Sequence, residues 1–255
     1  MPNPRGRNIA LSVPRRFIGD LVHFAHRIPS VPVERHMHLA TVARARELFD
    51  PRPSWCALFT KAYALVAEQM PELRRAYMSW PTAHLYEHPT SVASIAIERR
   101  FDGEQGVFFG HIKSPAEIEL AEIDKRLRHL KEAPILGVGS FRQAVRLARL
   151  PWPLRRFVWW FGLNVWGRKR AHHLGTFGIS VYASLGAASL HPLSPLTTTL
   201  NYGVLESDGS MDVRLVYDHR VLDGAVVARA LGSLEDELRG RITAELLSYE
   251  ARQAS

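Results

Sequence analysis

The residues in this chain best suited to chemistry are His219, Asp223 and Gly224, set in Tyr217-Asp218-His219-Arg220-Val221-Leu222-Asp223-Gly224. A neutral imidazole works near physiological pH. One held locally at one ring nitrogen can take a substrate proton with the other, as a general base does. The residues before His219 alternate like a strand and those after Gly224 carry a helical apolar period, which places the histidine in a short, rigid connection. With 12 His and 17 Gly in 255 residues, a His-x-x-x-Asp-Gly match arises by chance only about 0.03 times. On spacing alone a purely structural turn accounts for it equally well.

The elements that must position this turn read as mixed helix and strand, without the regular alternation of a doubly wound sheet. A helix is predicted over 14–27, then an extended stretch over 31–39 with Val31, Val33, Met37 and Leu39 on one face. Residues 55–70 are apolar enough for a buried helix. Residues 91–97 alternate as a strand, and 106–112 can pair with them across Asp102-Gly103. Ser114, Pro115 and Glu117 read as cap, first-turn proline and capping-box acid of a helix carrying Leu120, Ile123, Leu127 and Leu130 inward. Further strands are predicted over 176–182, 198–204 and 211–217, the last two joined through Asp208-Gly209. A final helix presents Val226, Val227, Ala230, Leu231, Leu234 and Leu238 on one face.

A composition of 46% apolar and 23% charged residues excludes a disordered chain, a collagen or a coiled coil. The single cysteine, Cys56, can form neither an internal disulfide nor a thiolate zinc site, so a cytoplasmic protein is expected. Arg5 and Arg7 precede an apolar stretch, 8–13, too short for a signal peptide, and no run long enough to span a bilayer follows.

The net charge of +8 is localised: residues 137–173 hold eight Arg or Lys and no acid. The same segment holds Trp152, Trp159, Trp160 and Trp166, four of the six tryptophans, with Phe141, Phe157 and Phe161. It reads as two short amphipathic helices, 141–150 and 154–166, broken by Pro151 and Pro153. Arg155 and Arg156 beside Trp159 and Trp160 suit a lipid headgroup interface at the inner membrane face, or an anionic substrate tail such as the phosphates of coenzyme A. Aromatics packed on a neighbouring subunit with solvated arginines are the alternative. No recognition motif accompanies the cations, so nucleic acid is not an expected partner. His172-His173 has no second ligand pair nearby, so no metal is expected. Asp218, Arg220 and Cys56 read as structural.

The stretch from Tyr217 through Asp218, His219, Asp223 and Gly224 to Ala225 resembles the active-site signature of the catalytic domain of the acyltransferase component of 2-oxo acid dehydrogenase complexes, a relative of chloramphenicol acetyltransferase. Gly175-Thr176-Phe177-Gly178-Ile179-Ser180 followed by Ser184-Leu185-Gly186 is similar to that family's Gly-Thr-Phe-Thr-Ile-Ser-Asn-Leu-Gly strand. Ile28-Pro29-Ser30-Val31 resembles its Ile-Pro-His-Val, Arg15 to Gly19 its Arg-x-x-Ile-Ala, and Met70-Pro71-Glu72-Leu73 its Phe-Pro-x-Leu. The likeness covers about residues 14–136 and 174–240.

The resemblance implies an α+β, two-layer fold, a mixed sheet with flanking helices, in one catalytic domain over 1–255 with a basic aromatic insertion at about 137–173. It also implies a homotrimer with active sites between subunits. In that reading His219 is the base acting on the thiol of coenzyme A, Ser180 steadies the oxyanion, and Asp223 pairs with Arg15, or its neighbour Arg16, to hold the loop that Gly224 closes. The family's lipoyl and subunit-binding modules do not precede the matched region, so the acyl donor is expected to be an acyl-CoA, or a lipoylated or carrier protein supplied in trans. Residues 244–255 lack the apolar tail of shell-forming members, which implies a free trimer. Gly178 in place of threonine, and Phe108-Phe109-Gly110-His111 in place of a Pro-containing strand, imply a reshaped substrate channel. A non-catalytic trimeric or membrane-surface scaffold is the alternative. Two-lobed condensation-type acyltransferases carry a similar motif but are about twice as long.

Overall fold

The computed structural model describes residues 6–253. Arg5 and the last two residues of the 244–255 tail lie outside them. Six strands form one mixed sheet: β1 (Ser30–His38), β4 (Val92–Phe101), β5 (Glu104–Lys113), β6 (Phe177–Ile179), β7 (Thr198–Tyr202) and β8 (Ser210–Asp218). Their spatial order is β1-β8-β7-β6-β4-β5. The three central strands β4, β6 and β7 run parallel, and the flanking pairs are antiparallel. A separate hairpin, β2 (Arg75–Met78) with β3 (His84–Glu87), had no sequence signal: four-residue strands are too short to display an alternation.

The strongest local signals became the elements expected. Asp102 and Gly103 have φ of 52° and 82°, the left-handed pair of a tight hairpin turn, and they join β4 to β5. Helix α3 (Trp55–Gln69) is capped by Ser54, whose hydroxyl accepts from the Ala57 amide at 3.2 Å. It is buried without interruption from Ala57 to Ala67, because it lies under the sheet as the central helix of the main core. Tyr63 of α3 stacks on Phe177 with centroids 4.2 Å apart and bonds Thr198 at 2.6 Å, so the helix is keyed to β6 and β7.

Other details differ from the sequence reading. Pro115–Glu117 is one 3-10 turn, and α4 (Leu120–Glu132) begins only after Glu119. Ser114 takes a left-handed φ of 45° and caps nothing. The free Leu120 amide donates instead to Glu245 Oε1 at 2.7 Å, from α9 (Thr243–Gln253), a partner invisible to local spacing. Leu120, Ile123, Leu127 and Leu130 are buried as expected. On β1 only Met37 of the apolar set is fully buried, because β1 is an edge strand, and Leu39, also buried, lies just beyond it at the start of α2 (Ala40–Leu48). Helix α2 is weakly patterned and carries no clear sequence signal.

The 137–173 segment forms three helices rather than two: α5 (Gly139–Ala148), α6 (Trp152–Asn164) and α7 (Gly167–Leu174). Pro151 separates the first pair. Pro153 sits in the first turn of α6, where a missing amide is tolerated, and breaks nothing. With α1 (Val13–Ala25), α6 builds a second cluster of Leu21, Phe24, Ala25, Trp159 and Leu163. Phe109, packed on this cluster, and its strand neighbour Phe108, in the main core, point to opposite faces of β5, as the two-residue strand period requires.

Candidate active site

His219 follows directly on β8. The Asp218 amide donates to the Thr197 carbonyl at 2.8 Å, and the His219 amide to the Pro29 carbonyl at 3.0 Å. Asp218 is buried and organises the turn. Its carboxylate accepts from the Arg220 backbone amide at 3.0 Å and from the Arg220 guanidinium at 2.7–3.3 Å, and its carbonyl takes the Val221 and Leu222 amides. Arg220 in turn lies 4.3 Å over the Tyr77 ring. The structural reading of Asp218 and Arg220 thus matches the geometry.

The imidazole of His219 is 49% exposed and stands 5.4 Å from the Tyr217 ring, centre to centre. Its Nδ1 is 3.7 Å from Asp223 Oδ1, an ion-pair separation too long for a hydrogen bond. Asp223 occupies the N-cap position of α8 (Gly224–Glu237), its carbonyl accepting from the Val226 and Val227 amides, yet its side chain caps no amide and is 83% exposed. A Cβ at Gly224 would meet the Tyr217 hydroxyl at 3.4 Å, an ordinary van der Waals contact, so local space does not demand glycine there.

The expected Arg15–Asp223 pair does not form within the chain. Helix α1 packs along β5, so Arg15 in its first turn reaches the β4–β5 hairpin and bonds Glu104 at 2.8 Å. Arg16 bonds the Leu11 carbonyl at 3.0 Å and is not the substitute. Glu104 has its pKa lowered, first by hydrogen bonding from Ser12 and then from Arg15.

Ser180 ends β6. Its amide donates to the Leu200 carbonyl at 3.1 Å, and its own carbonyl accepts from the Asn201 side-chain amide. Register then locates it relative to His219. Ile179 lies level with Leu200, whereas Tyr217 lies level with Thr198 and Asp218 below it. At the rise of an extended strand, Ser180 and His219 are roughly 15 Å apart along the strand direction, and two strands apart laterally. One chain does not bring them together.

The basic aromatic segment needs a larger correction. Asp20, buried on α1, pairs with Arg155 and with Arg156, the latter at 3.0 Å, and Arg156 also lies 5.9 Å over Phe24. These two arginines are anchors between α1 and α6, not free contacts for lipid or phosphate. Trp159 is 3% exposed, wedged between Phe17 and Phe24 at 5.4 and 6.1 Å, because it faces the sheet side of α6. Trp160 does face outward, with Trp152, Phe157 and Trp166. Arg170 is buried as well. Its guanidinium donates to the carbonyls of Tyr77, Leu163 and Pro195 at 2.8–2.9 Å, and burial lowers its pKa to about 10.

His111 belongs to β5, in the Phe108-Phe109-Gly110-His111 stretch. It faces Ser94 across the β4–β5 pair and borders an apolar cavity beside α1, α5 and α6. Burial, followed by the nearby His172 and His173, holds its pKa down to about 4. His173 Nδ1 is 2.7 Å from the Gln143 amide nitrogen. Among the described residues no three His, Cys, Asp or Glu side chains converge on a metal position.

With this geometry, the backbone can be compared with solved structures. A probable dihydrolipoamide acetyltransferase from Listeria monocytogenes superposes with a TM-score of 0.65 at 18% identity, over 91% of this chain and 94% of that one. The dihydrolipoamide acetyltransferase of Azotobacter vinelandii superposes at 0.67 and 17% identity, over 95% of each chain. Chloramphenicol acetyltransferase follows at 0.51 and 14% identity, over 90% and 96%. This chain shares their fold. No family model matches it, and no curated protein does. The expected architecture of a mixed sheet with flanking helices is therefore observed. Among the described residues no helix is long and apolar enough to cross a membrane.

Proposed function

We propose that this protein is an acyltransferase that moves an acyl group between a thioester and a nucleophilic acceptor, with His219 as general base. The observation that carries the reading is the buried Asp218–Arg220 turn, which holds a half-exposed imidazole at a strand end in a fold shared with acetyltransferases. In the Azotobacter protein, the histidine and asparagine whose catalytic roles were investigated lie four residues apart, as His219 and Asp223 do here.

In the step proposed, His219 removes the proton of an acceptor thiol, with coenzyme A the expected thiol. The thiolate forms a new C–S bond at the thioester carbonyl, and the carbonyl electrons move onto oxygen. The Ser180 hydroxyl, which has no hydrogen-bond partner among the described residues, donates to that oxyanion. Collapse breaks the donor C–S bond, and the departing thiolate recovers the proton from the imidazolium. No acyl-enzyme forms. The separation of Ser180 from His219 within one chain supports a site assembled from two copies, in a trimer. With coenzyme A as acceptor the donor is an acylated lipoyl or carrier protein; in the reverse direction an acyl-CoA is the donor and coenzyme A the thiolate that departs.

The test is transfer from acetyl-CoA to dihydrolipoamide by the wild type and by His219→Ala. Loss of about 10²–10⁴ in turnover, with sedimentation unchanged, is expected. Unchanged turnover removes the reading.

A second reading, a non-catalytic scaffold at a membrane surface, draws on the exposed Asp223, whose carboxylate stays beyond hydrogen-bond distance of His219, and on outward Trp152, Phe157, Trp160 and Trp166. Absence of acetyl-CoA binding in calorimetry, together with association to anionic liposomes, would favour it.

A further inference from the structure

With Arg155 and Arg156 held by Asp20 and Trp159 in the core, α6 still presents an apolar face on its other side. Leu154, Phe157 and Phe161 recur at helical spacing opposite the buried Trp159 and Leu163. Their rings join with others into one strip. Trp160 lies 6.3 Å from Phe157, Phe157 6.0 Å from Phe161, and Phe161 5.9 Å from Trp166, centre to centre. A second element lengthens it: Trp80, 52% exposed, follows β2 and donates its amide to the Asn164 carbonyl at 3.3 Å, which places it at the C-terminal end of α6. Contiguous exposed apolar surface of this kind marks an interaction site.

The charge around the strip says what covers it. Arg142, Arg146 and Arg149 on or just after α5, and Arg168 and Lys169 on α7, are exposed, and none of them pairs with an acid among the described residues. Lys169 Nζ lies 5.4 Å over the Trp166 ring, so cation and strip meet directly. Residues 137–173 include no acid, and Asp20, which α1 brings to α6, is buried against the two arginines it neutralises. Two copies meeting face to face here would bring uncompensated cations together, an unfavourable contact. An anionic bilayer supplies both things this face lacks: phosphates for the cations and, just below them, the zone in which tryptophan and phenylalanine rings settle.

We propose that this face, α6 with Trp166 and Trp80, docks on an anionic bilayer surface with the helix lying in the plane of the headgroups. None of the residues involved belongs to the histidine turn, so docking holds for a competent acyltransferase and for a non-catalytic chain alike.

The test is flotation of the full-length protein with vesicles of phosphatidylcholine alone and of equal parts phosphatidylcholine and phosphatidylglycerol. Binding to the anionic vesicles is expected to be at least about tenfold tighter and to weaken as salt rises. Each cation near such a surface contributes about fivefold in affinity, so Arg168→Gln with Lys169→Gln should weaken binding about thirtyfold. Leu154→Ser with Phe157→Ser should weaken it at least about tenfold through lost apolar burial, with circular dichroism unchanged. Should that variant fold poorly, Trp80→Ser tests the same strip from a different element. Absence of vesicle binding, equal binding to both lipids, or affinity unmoved by the cation pair or by the apolar variants overturns the proposal. So does an oligomer that binds no vesicles and dissociates in the apolar variants, which gives the strip to a second copy of the chain. Uptake of an oligothymidylate without vesicle binding overturns it in favour of nucleic acid.

Discussion

Ser180 and His219 emerge at opposite ends of the strands that flank β7, one beside Leu200 and the other below Thr197. A reaction using both side chains therefore draws them from different copies. Mixing Ser180→Ala with His219→Ala chains under conditions that exchange subunits should recover roughly a quarter of wild-type turnover, the statistical share of sites with both residues intact. Neither variant alone should exceed about 1% of wild type. No recovery on mixing would place the reacting groups within one chain or exclude one of them.

The buried carboxylate of Asp20 offsets two arginines at the α1–α6 contact. Asp20→Ala leaves both without their acid, a change that costs about 3–5 kcal/mol in buried pairs. The melting temperature should fall by about 10 °C. Arg156, the more accessible partner, should matter less than Arg155. A melting point within 2 °C of wild type, measured by calorimetry, would contradict an anchoring role.

Acid should weaken the fold through His111 and His88, both held at about 4 by burial. An unfolded histidine titrates near 6.5, so between pH 6.5 and 4 the unfolded chain binds more protons than the folded one, and stability falls as pH falls. Each contributes up to about 3 kcal/mol. The doubly substituted His88→Phe, His111→Phe protein should show a flatter melting temperature between pH 7 and 4.5 than wild type. Equal slopes would refute the assignment.

Outward and inward aromatics of α6 should separate cleanly. Trp159→Ala should destabilise by about 3–5 kcal/mol, the cost of a large cavity. Trp160→Ala, at a residue 36% exposed, should lower the melting temperature by much less. If this surface meets lipid, co-sedimentation with anionic liposomes should drop for Trp160→Ala combined with Phe157→Ala. Flotation identical to wild type would leave the outward strip to protein contacts.

Gly175 joins α7 to β6 at φ 92°, and a Cβ there would fall 2.8 Å from Ser94 Cβ and 3.0 Å from the Val92 carbonyl. Gly175→Ala should lose at least about 2 kcal/mol in urea unfolding. A neutral substitution would show that the join can move.

The parts of this architecture legible in the sequence are those fixed by near neighbours. The Asp102-Gly103 hairpin, the apolar stripe of α4 and the strand leading to His219 each follow from residues within a few positions of one another. What escaped depends on partners distant in the chain. Arg15 finds Glu104, 89 residues away, because α1 lies on β5, and Leu120 is capped by Glu245, 125 residues away. The positive segment looked like a solvated surface because its counter-ion, Asp20, comes from another helix. His111 gave no signal, since a single histidine in a strand announces neither its burial nor its unpaired nitrogen.

Arg170 ties together three stretches remote in sequence through their carbonyls at Tyr77, Leu163 and Pro195. Tyr77 carries Arg220 on its ring, and Pro195 lies two residues before the carbonyl that receives the Asp218 amide. One guanidinium thus acts as a rivet between the floor of the histidine turn and the helix roofing the cavity. Without that guanidinium the carbonyls of Tyr77, Leu163 and Pro195 would lose the donor they share.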